Sequence, residues 1–374
     1  MTAEQIAFFE LVRAGLWGRK ADASVFDEHT EWHRLYAHGK NQTMLGIMLD
    51  GIQTLPDELR PDRLLYLQWC ASVLQTEDNN RKINREICSL FNLLRSYGIE
   101  PVLLKGQGVG RHYREPLHRQ CGDIDIYIGK RDFERVNRLL LESGEEICEA
   151  TAKHNTFCWH GVEVENHRML AQLMSPCANR RLQRSIAAWH GMREERFVLD
   201  GCGITVPPAD FDAIFLLLHS VHHLLEGGVG LRQICDWIML LHNSRESMDL
   251  PAVAHELTKL GLSRAARIFG ALSVGCLGMN ADELPLPFDA ADEREAEWLL
   301  DNIWTNGNFG RGDATRKPRP KGYWSGKWHT FRSALYCLNN MGRVAPSEAR
   351  WTPVMMICNM IYAQIYMRFR RRRA

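Results

Sequence analysis

The spacing of apolar residues predicts that the first hundred residues are mainly helical. Apolar positions recur every three or four residues over residues 4–17 and again over residues 62–98, which places them on one face of a helix. The second stretch predicts one or two long amphipathic helices. Two runs between these stretches are typical of loops and helix starts. They are Gly-Lys-Asn, which begins at Gly39, and Leu-Pro-Asp, which begins at Leu55.

The pattern changes near residue 98, where short segments typical of strands begin. Residues 123–128 alternate between Asp or Tyr and Ile, as expected of a strand with one buried face. Residues 155–166 predict a hairpin that turns at His160 and Gly161. The other predicted elements of this block are a strand in residues 98–105, a glycine-rich turn in residues 106–110 and a helix in residues 130–141.

Helical spacing returns after Pro208. The clearest predicted segments are residues 211–225, 231–241 and 250–277, and residues 305–327 predict a loop rich in Gly, Pro, Lys and Arg. We therefore expect an α+β fold with a small mixed β-sheet. The predicted regions are a helical N-terminal region (1–98), a core that carries the sheet (99–205) and a helical C-terminal region (206–374).

Composition narrows the choice of partner and compartment. Among 374 residues, 46 Lys and Arg nearly balance 45 Asp and Glu, whereas bulk nucleic-acid binders carry a basic excess, so a long nucleic acid is disfavoured. Eleven cysteines lie singly, without a Cys-x-x-Cys pair, which is typical of free thiols in a reducing compartment. The N-terminus has no secretory pattern and no apolar run reaches eighteen residues, so we expect a cytoplasmic protein.

The C-terminus combines an interrupted apolar run, residues 351–367, with an arginine cluster in residues 368–373. Clustered arginines beside an apolar face can lie on an anionic membrane surface. A packed terminal helix with a solvated basic end accounts for the same residues and is the favoured interpretation.

Asp123 and Asp125 are the strongest chemical signal in the chain. Residues i and i+2 of a strand point the same way, so both carboxylates project from the face opposite the intervening isoleucines. Adjacent anions repel each other unless a cation lies between them, which indicates a divalent-ion site. Taken alone, such a pair is more often a solvated pair at a strand edge or turn, and the residues around it decide in favour of the ion. Glu165, on the second hairpin strand, is the preferred third carboxylate, and Glu163 on the same face competes with it.

A candidate phosphate-binding turn precedes this strand. Residues 103–111 run from a strand into a glycine-rich turn, where the absence of side chains lets backbone amides approach a phosphate. Basic residues flank the turn and can neutralise phosphate charge. The predicted nucleotide-binding residues are Lys105, Gly106, Gly108, Arg119 and Gly122.

The motifs resemble those of a known family. The run Leu103-Leu-Lys-Gly106, then Tyr113, Arg119 and Gly122-Asp-Ile-Asp-Ile-Tyr-Ile128, resembles the bacterial uncharacterised nucleotidyltransferase family of the DNA polymerase beta-like superfamily. Glu165-Asn-His167 resembles its acidic-x-His signature and supports Glu165 as the third carboxylate. The runs that begin at His219 and Leu231 resemble its helical region. The wider superfamily has a Gly-Ser pair where this chain, like the family, has Lys105-Gly106.

The resemblance implies an enzyme that transfers an NMP from an NTP to an acceptor hydroxyl and releases pyrophosphate. Asp123, Asp125 and Glu165 would be both the catalytic residues and the ligands of Mg²⁺ or Mn²⁺. The acceptor and the preferred base do not follow from it. Two other classes stay open, a non-catalytic descendant that binds a nucleotide or a protein, and a phosphotransferase that uses the same metal site.

The helical C-terminal region contributes further candidates. His219, His222 and His223 share one helix face. A role in lining an acceptor pocket is favoured over a zinc site, and ordinary, partly buried histidines account for the same pattern. Arg232 and Asp236, spaced i and i+4, are expected to pair on a helix surface.

Two further groups are interpreted as structural. His154, Cys158 and His160 alternate along a predicted strand, and a structural role is favoured over a metal site. The basic loop of residues 311–327 can contact a nucleotide by charge and stacking, but a solvated connection is favoured.

Overall fold

The computed structural model describes residues 1–150, 154–189, 195–226, 228–307 and 323–371. A five-stranded sheet and a separate two-stranded hairpin lie between helical segments. The helices are α1 Ala3–Trp17, α2 Trp32–Asn41, α3 Leu45–Ile52, α4 Arg63–Ser96, α5 Gly106–Gly110, α6 Gly129–Glu142, α7 Pro176–Trp189, α8 Ala209–Glu226, α9 Leu231–Ser244, α10 Leu250–Leu260, α11 Ser263–Leu272, α12 Ala290–Asn306, α13 Tyr323–Val344 and α14 Pro346–Arg371. The strands are β1 Val102–Leu104, β2 Asp123–Tyr127, β3 Ile147–Ala150, β4 His154–Trp159, β5 Val162–His167, β6 Glu195–Leu199 and β7 Cys202–Val206. The expected α+β fold is confirmed.

The N-terminal region is helical as predicted, and its second stretch forms one helix. Helix α4 runs for 34 residues. Asp62 caps its N-terminus because its side chain accepts hydrogen bonds from the amides of Leu64 and Leu65. The buried face of α4 includes Ile87 and Phe91 and packs against the sheet.

The five-stranded sheet is mixed, in the order β1-β2-β5-β4-β3. Strand β2 pairs antiparallel with β1 and parallel with β5, while β4 is antiparallel to both of its neighbours. The central strands β2 and β5 therefore lie side by side with their carboxyl ends at the same edge. This arrangement places the alternating residues of β2 beside those of the predicted hairpin.

The hairpin of β4 and β5 turns where the sequence predicts. His160 and Gly161 have φ values of 47° and 74°, the left-handed conformation that a two-residue hairpin turn requires at both positions. A second hairpin, β6–β7, turns in the same way at Asp200 and Gly201, with φ values of 48° and 82°. The sequence analysis did not predict this second hairpin, although the alternation of Cys202, Ile204 and Val206 and the Asp200-Gly201 pair are typical of one.

The C-terminal region differs from the predicted segments at Gly261 and at residues 323–327, which begin α13 and do not continue the predicted loop. The stretch 250–277 is broken at Gly261, which adopts a φ of 77° and ends α10. The amides of Gly261 and Leu262 bond back to the carbonyl groups of the last turn, an arrangement that stops a helix. Residues 311–322 of the predicted basic loop lie outside the described residues, and so do the side chains of the arginine cluster. Among the described residues, no helix has the length and apolar character needed to cross a bilayer.

Two hydrophobic cores organise the described residues. The larger core joins the N-terminal helices to the C-terminal helices and includes Phe8, Trp69, Trp237 and Phe269. The smaller core lies between the sheet, α4, α6 and the β6–β7 hairpin. The polar face of the sheet is left open toward the helices α8 and α9, which cover it only partly and leave a cavity.

Candidate active site

Three carboxylates meet on the open face of the sheet. The parallel register pairs Asp125 with Glu165 and Asp123 with Glu163. One carboxylate oxygen from each of Asp123, Asp125 and Glu165 lies within 4.8 Å of the others. All-oxygen donors at this spacing suit a hard divalent cation such as Mg²⁺. Glu163 belongs to neither of the metal-binding groups found among the described residues, and it is exposed.

Lys105 provides the positive charge at this face. It follows β1 with a φ of 48°, a backbone conformation that costs energy for a residue with a side chain. Its Nζ atom lies 2.9 Å from Oδ1 of Asp125. Burial opposes the charge of Lys105, but Asp125 and Asp123 outweigh burial, and the pKa of the amine is raised.

The two aspartates differ in their electrostatics. The neighbouring charge of Asp125, together with burial, raises the pKa of Asp123 to about 6. Burial also disfavours the ionised form of Asp125, but Lys105 and His167 more than compensate and lower its pKa. Asp125 is therefore held as a carboxylate, while Asp123 needs a further cation to remain ionised.

Two histidines stand beside the carboxylates. Nε2 of His167 lies 2.7 Å from Oδ1 of Asp125 and 3.1 Å from Oε2 of Glu165. His154, opposite His167 in the β4–β5 register, brings its Nε2 to 3.6 Å from Oε1 of Glu165. Burial works against protonation of His167, but the hydrogen bonds to the two carboxylates raise its pKa.

Arg119 is bound to the helical wall of the cavity. Its guanidinium donates two hydrogen bonds to Asp236 of α9, at 3.0 and 2.6 Å, and both side chains are buried. The hydroxyl of Tyr113 donates to the same carboxylate at 2.8 Å. The expectation that Asp236 pairs with Arg232 on a helix surface is therefore wrong, because Asp236 faces inward and has Arg119 and Tyr113 as its partners.

Arg232 takes a different position from the predicted one. Its Nη1 donates to the backbone carbonyl of Gln120, and its buried Nε has no hydrogen-bond partner among the described residues. Burial and the nearby Arg119 lower the pKa of its guanidinium, while Asp236 and Asp123 act in the opposite direction. The positively charged guanidinium of Arg232 therefore lies near the carboxylate face, and its Nε is available to donate a hydrogen bond.

A cavity of about 300 Å³ connects these groups, a volume at the lower end of the range for small-molecule sites. Its floor is the sheet face and its opposite wall comes from α8 and α9. The residues that line it include Lys105, Gly106, Arg119, Asp123, Asp125, His154, Glu165, His167, Phe215, His219, His222, His223, Arg232 and Asp236.

Two predicted nucleotide-binding residues lie away from this lining. A Cβ atom added to Gly108 would be 3.3 Å from Val206 of β7, so this glycine allows α5 to pack closely against the hairpin. Gly122 is exposed beside Asp123, and a Cβ atom added to it would point into open space. Lys105, Gly106 and Arg119 are the predicted phosphate-binding residues that the cavity brings together.

The three histidines of α8 line the far wall. Nε2 of His219 lies 2.8 Å from Nε2 of His223, and Nε2 of His222 lies 3.9 Å from Glu348 of α14. Burial and the positive charge of Lys105 lower the pKa of His219 well below its usual range, so its imidazole is neutral near pH 7. His219 therefore adds a polar but uncharged group to the wall opposite the carboxylates.

Sequence reasoning missed His154 and Arg232 as components of the site. Neither Cys158 nor His160 joins His154 in a metal-binding group among the described residues, and His160 instead pairs with Glu86 at 2.7 Å. The cross-strand register that places His154 opposite His167 was the missing information. For Arg232, the missing information was that Asp236, one helical turn away, forms its ion pair with Arg119 and not with Arg232.

The chain matches a family of known proteins over more than half of its length. The family described as "Uncharacterised nucleotidyltransferase" matches residues 28–278. The crystal structure of an antigenic nucleotidyltransferase-like protein from Paracoccidioides brasiliensis matches with 15% identity and a TM-score of 0.32, covering 43% of this chain and 75% of that chain. No curated protein matches the chain. The family match covers more than half of the 374 residues, including all three carboxylates, and the chain therefore belongs to the uncharacterised nucleotidyltransferase family.

Proposed function

We propose that the protein transfers an NMP from an NTP to an acceptor hydroxyl and releases pyrophosphate. The observation that carries the proposal is the group formed by Asp123, Asp125 and Glu165 at the floor of the cavity. The family match supports the reaction class. A catalytic core of residues 99–205 between helical regions 1–98 and 206–374, and a cytoplasmic location, remain predictions.

The carboxylate group fits Mg²⁺ or Mn²⁺, because its donors are oxygens and the pair Asp123 and Asp125 needs a cation to stay fully ionised. When bound, such an ion would stabilise negative charge on the reacting phosphate oxygens. Glu165 lies at the side of the group nearest the two histidines. In this position it can accept the proton of the acceptor hydroxyl.

Phosphate recognition would come from the cations that line the cavity. Lys105 and Arg232 approach the carboxylates from the sheet and from α9 respectively. Arg119 lines the same cavity, but Asp236 neutralises most of its charge. We therefore assign the main phosphate contacts to Lys105 and Arg232, with Arg119 holding the wall in place.

The acceptor would lie against α8. His219, which is neutral, forms a hydrogen bond with His223 there and lies next to the apolar face of Phe215. Uncharged polar groups on an apolar wall suit a hydroxyl-bearing acceptor. The balanced charge of the chain keeps a long nucleic acid disfavoured as that acceptor.

Transfer from each α-labelled NTP in the presence of Mg²⁺ or Mn²⁺, with cell extract supplying acceptors, tests the proposal. We expect label transfer with pyrophosphate release, and its loss in the Asp123→Ala/Asp125→Ala variant. Glu165→Gln should lose activity by a factor of about 100 or more, the range for removing one charge-stabilising group. Glu163→Gln is the matched control on the same face of β5 and should retain activity.

Two results would contradict the proposal. Release of a nucleoside diphosphate with transfer of the γ-phosphate would show a phosphotransferase. Metal-dependent NTP binding without transfer in any extract would show a binding protein that retains the fold.

A further inference from the structure

We propose that His154, Glu165 and His167 form a second metal site, beside the carboxylate group, that takes a first-row transition-metal ion in preference to Mg²⁺. The three side chains offer two imidazole nitrogens and one carboxylate, all within 4.8 Å of one another. This donor set differs in kind from the all-oxygen group of Asp123, Asp125 and Glu165. The proposal concerns metal binding alone and holds whether or not the protein transfers a nucleotide.

The strand register builds this site. His154 of β4 lies directly opposite His167 of β5, and Glu165 is two residues before His167 on the same face. Because side chains of a strand alternate between faces, all three point toward the cavity. Regular strands hold their backbones in place, so the donors are positioned before any ion arrives.

The distances between these donors are close to the spacing of metal ligands, and a bound ion would replace the hydrogen bonds of His167 to Asp125 and Glu165. Donor atoms about 2.0–2.2 Å from a tetrahedral ion lie about 3.3–3.6 Å from one another. Nε2 of His167 lies 3.1 Å from Oε2 of Glu165 and 2.7 Å from Oδ1 of Asp125, and Nε2 of His154 lies 3.6 Å from Oε1 of Glu165. The separation between His154 and Glu165 exceeds the range of a hydrogen bond, and both separations to Glu165 lie within a few tenths of an ångström of the spacing between ligands.

The chemistry of the donors selects the class of ion. Imidazole nitrogen binds Zn²⁺, Co²⁺ and related transition metals, whereas Mg²⁺ takes oxygen ligands and retains water. His167 is nearly buried, and the side chains of His154 and Glu165 are 21% and 20% exposed. An ion can therefore enter from the cavity, which all three residues line.

Glu165 belongs to both groups, with its carboxylate between the two histidines and the two aspartates. The sheet face thus presents an oxygen-rich position on the side of β2 and a nitrogen-rich position on the side of β4. Each position has donors that the other lacks. Single substitutions can therefore separate them.

Titration of the full chain with Co²⁺, in the presence of excess Mg²⁺, tests the proposal through the visible absorption of imidazole-bound cobalt. We expect one such Co²⁺ per chain, displaced by Zn²⁺ and unaffected by further Mg²⁺. His154→Gln should weaken this binding by a factor of about 10 or more, the range for a disturbed metal site. His167→Gln should do the same, and Asp123→Asn should leave the cobalt spectrum and its affinity unchanged.

Two matched variants control for adventitious binding. His33→Gln removes an exposed histidine, and Cys158→Ser removes the exposed thiol on the same face of β4. Both should bind Co²⁺ like the wild type. Since His154 is partly exposed, His154→Gln should melt at the wild-type temperature, which separates loss of a ligand from loss of the fold.

Three results would overturn the proposal. The first is wild-type cobalt binding in His154→Gln. The second is equal loss of binding in His33→Gln or Cys158→Ser, and the third is loss of binding in Asp123→Asn to the same extent as in the histidine variants. None of these measurements depends on nucleotidyl transfer, so failure of the proposed function would appear separately, in the labelled-NTP assay.

Discussion

Arg119 and Asp236 form a buried, two-hydrogen-bond ion pair across 117 residues of sequence, at distances of 3.0 and 2.6 Å. Arg119 comes from the turn before β2, and Asp236 comes from the middle of α9. The pair therefore fixes the helical wall of the cavity against the strand that carries Asp123 and Asp125. Its main contribution is to position that wall.

Removal of one partner of this pair should destabilise the protein strongly. Asp236→Ala leaves the buried Arg119 guanidinium without its counter-charge, and we expect the free energy of unfolding to fall by about 3–5 kcal/mol. Urea denaturation measures the change. Asp301→Ala, which removes an exposed carboxylate from α12, is the control and should change stability by less than about 0.5 kcal/mol.

The double variant Arg119→Met/Asp236→Leu distinguishes a charge effect from a packing effect. Apolar replacements of similar size remove the unpaired charge, and such replacements are often close to neutral. We therefore expect the double variant to regain most of the stability that Asp236→Ala loses. A double variant as unstable as Asp236→Ala would show that shape, and not charge, dominates at this position.

Arg232 should contribute to nucleotide binding more than Arg119 does. Its guanidinium has spare hydrogen-bonding capacity toward the cavity, whereas Asp236 already occupies that of Arg119. Arg232→Met should weaken NTP binding by a factor of about 10 or more, the loss expected for one charge-assisted hydrogen bond. Isothermal titration with a non-hydrolysable NTP and Mg²⁺ measures this, with the exposed Arg63→Met as control. Unchanged NTP affinity in Arg232→Met would remove Arg232 from the phosphate site.

The sequence predicts the strands and turns of this fold correctly where they depend on short-range patterns of residues. The alternation of residues 123–128 and the turn at His160 and Gly161 depend on neighbours only a few residues apart. The partner of Asp236 was not readable in this way. Helical spacing predicted Arg232 as the partner of Asp236. The actual partner, Arg119, is 117 residues away in the sequence and contacts Asp236 only when α9 packs over the sheet.

The same limit applies to the site. The spacing of Asp123 and Asp125 alone predicts that their side chains lie on the same face of a strand. The grouping of His154 with Glu165 and His167 depends on the antiparallel register of β4 and β5, which the sequence does not specify locally. The break at Gly261 shows a different limit. Apolar spacing continued through residues 250–277, but a glycine in the left-handed conformation ended α10 locally.

The close contact between α1 and α3 should not tolerate added volume. A Cβ atom on Gly15 would lie 1.9 Å from the carbonyl oxygen of Ile47, and one on Gly51 would lie 2.3 Å from that of Leu11. Since both obstacles are backbone atoms, the helices would have to move apart. Gly15→Ala and Gly51→Ala should each lower the free energy of unfolding by about 1–3 kcal/mol.

Thermal or urea denaturation measures this loss, and Gly275→Ala provides the matched control. No heavy atom lies within 4 Å of a Cβ built on Gly275, so the substitution should be neutral or stabilise by up to about 1 kcal/mol. Equal effects at Gly15 and Gly275 would show that chain entropy, and not the helix contact, sets the response.

Asp212 should make the stability of the protein fall as the pH rises toward neutrality. This residue lies in the first turn of α8, and burial, with Glu195 and Asp236 nearby and Arg111 opposing, raises its pKa to about 7. The folded state thus keeps a proton that the unfolded state loses near pH 4, so the stabilisation is complete below about pH 4 and is lost as pH rises to about 7. Asp212→Asn removes this titration, and its stability relative to the wild type should increase by a few kcal/mol between about pH 4 and pH 8. Urea denaturation of both proteins across this range measures the difference, and a difference that does not vary with pH would show that Asp212 is ionised in the folded protein.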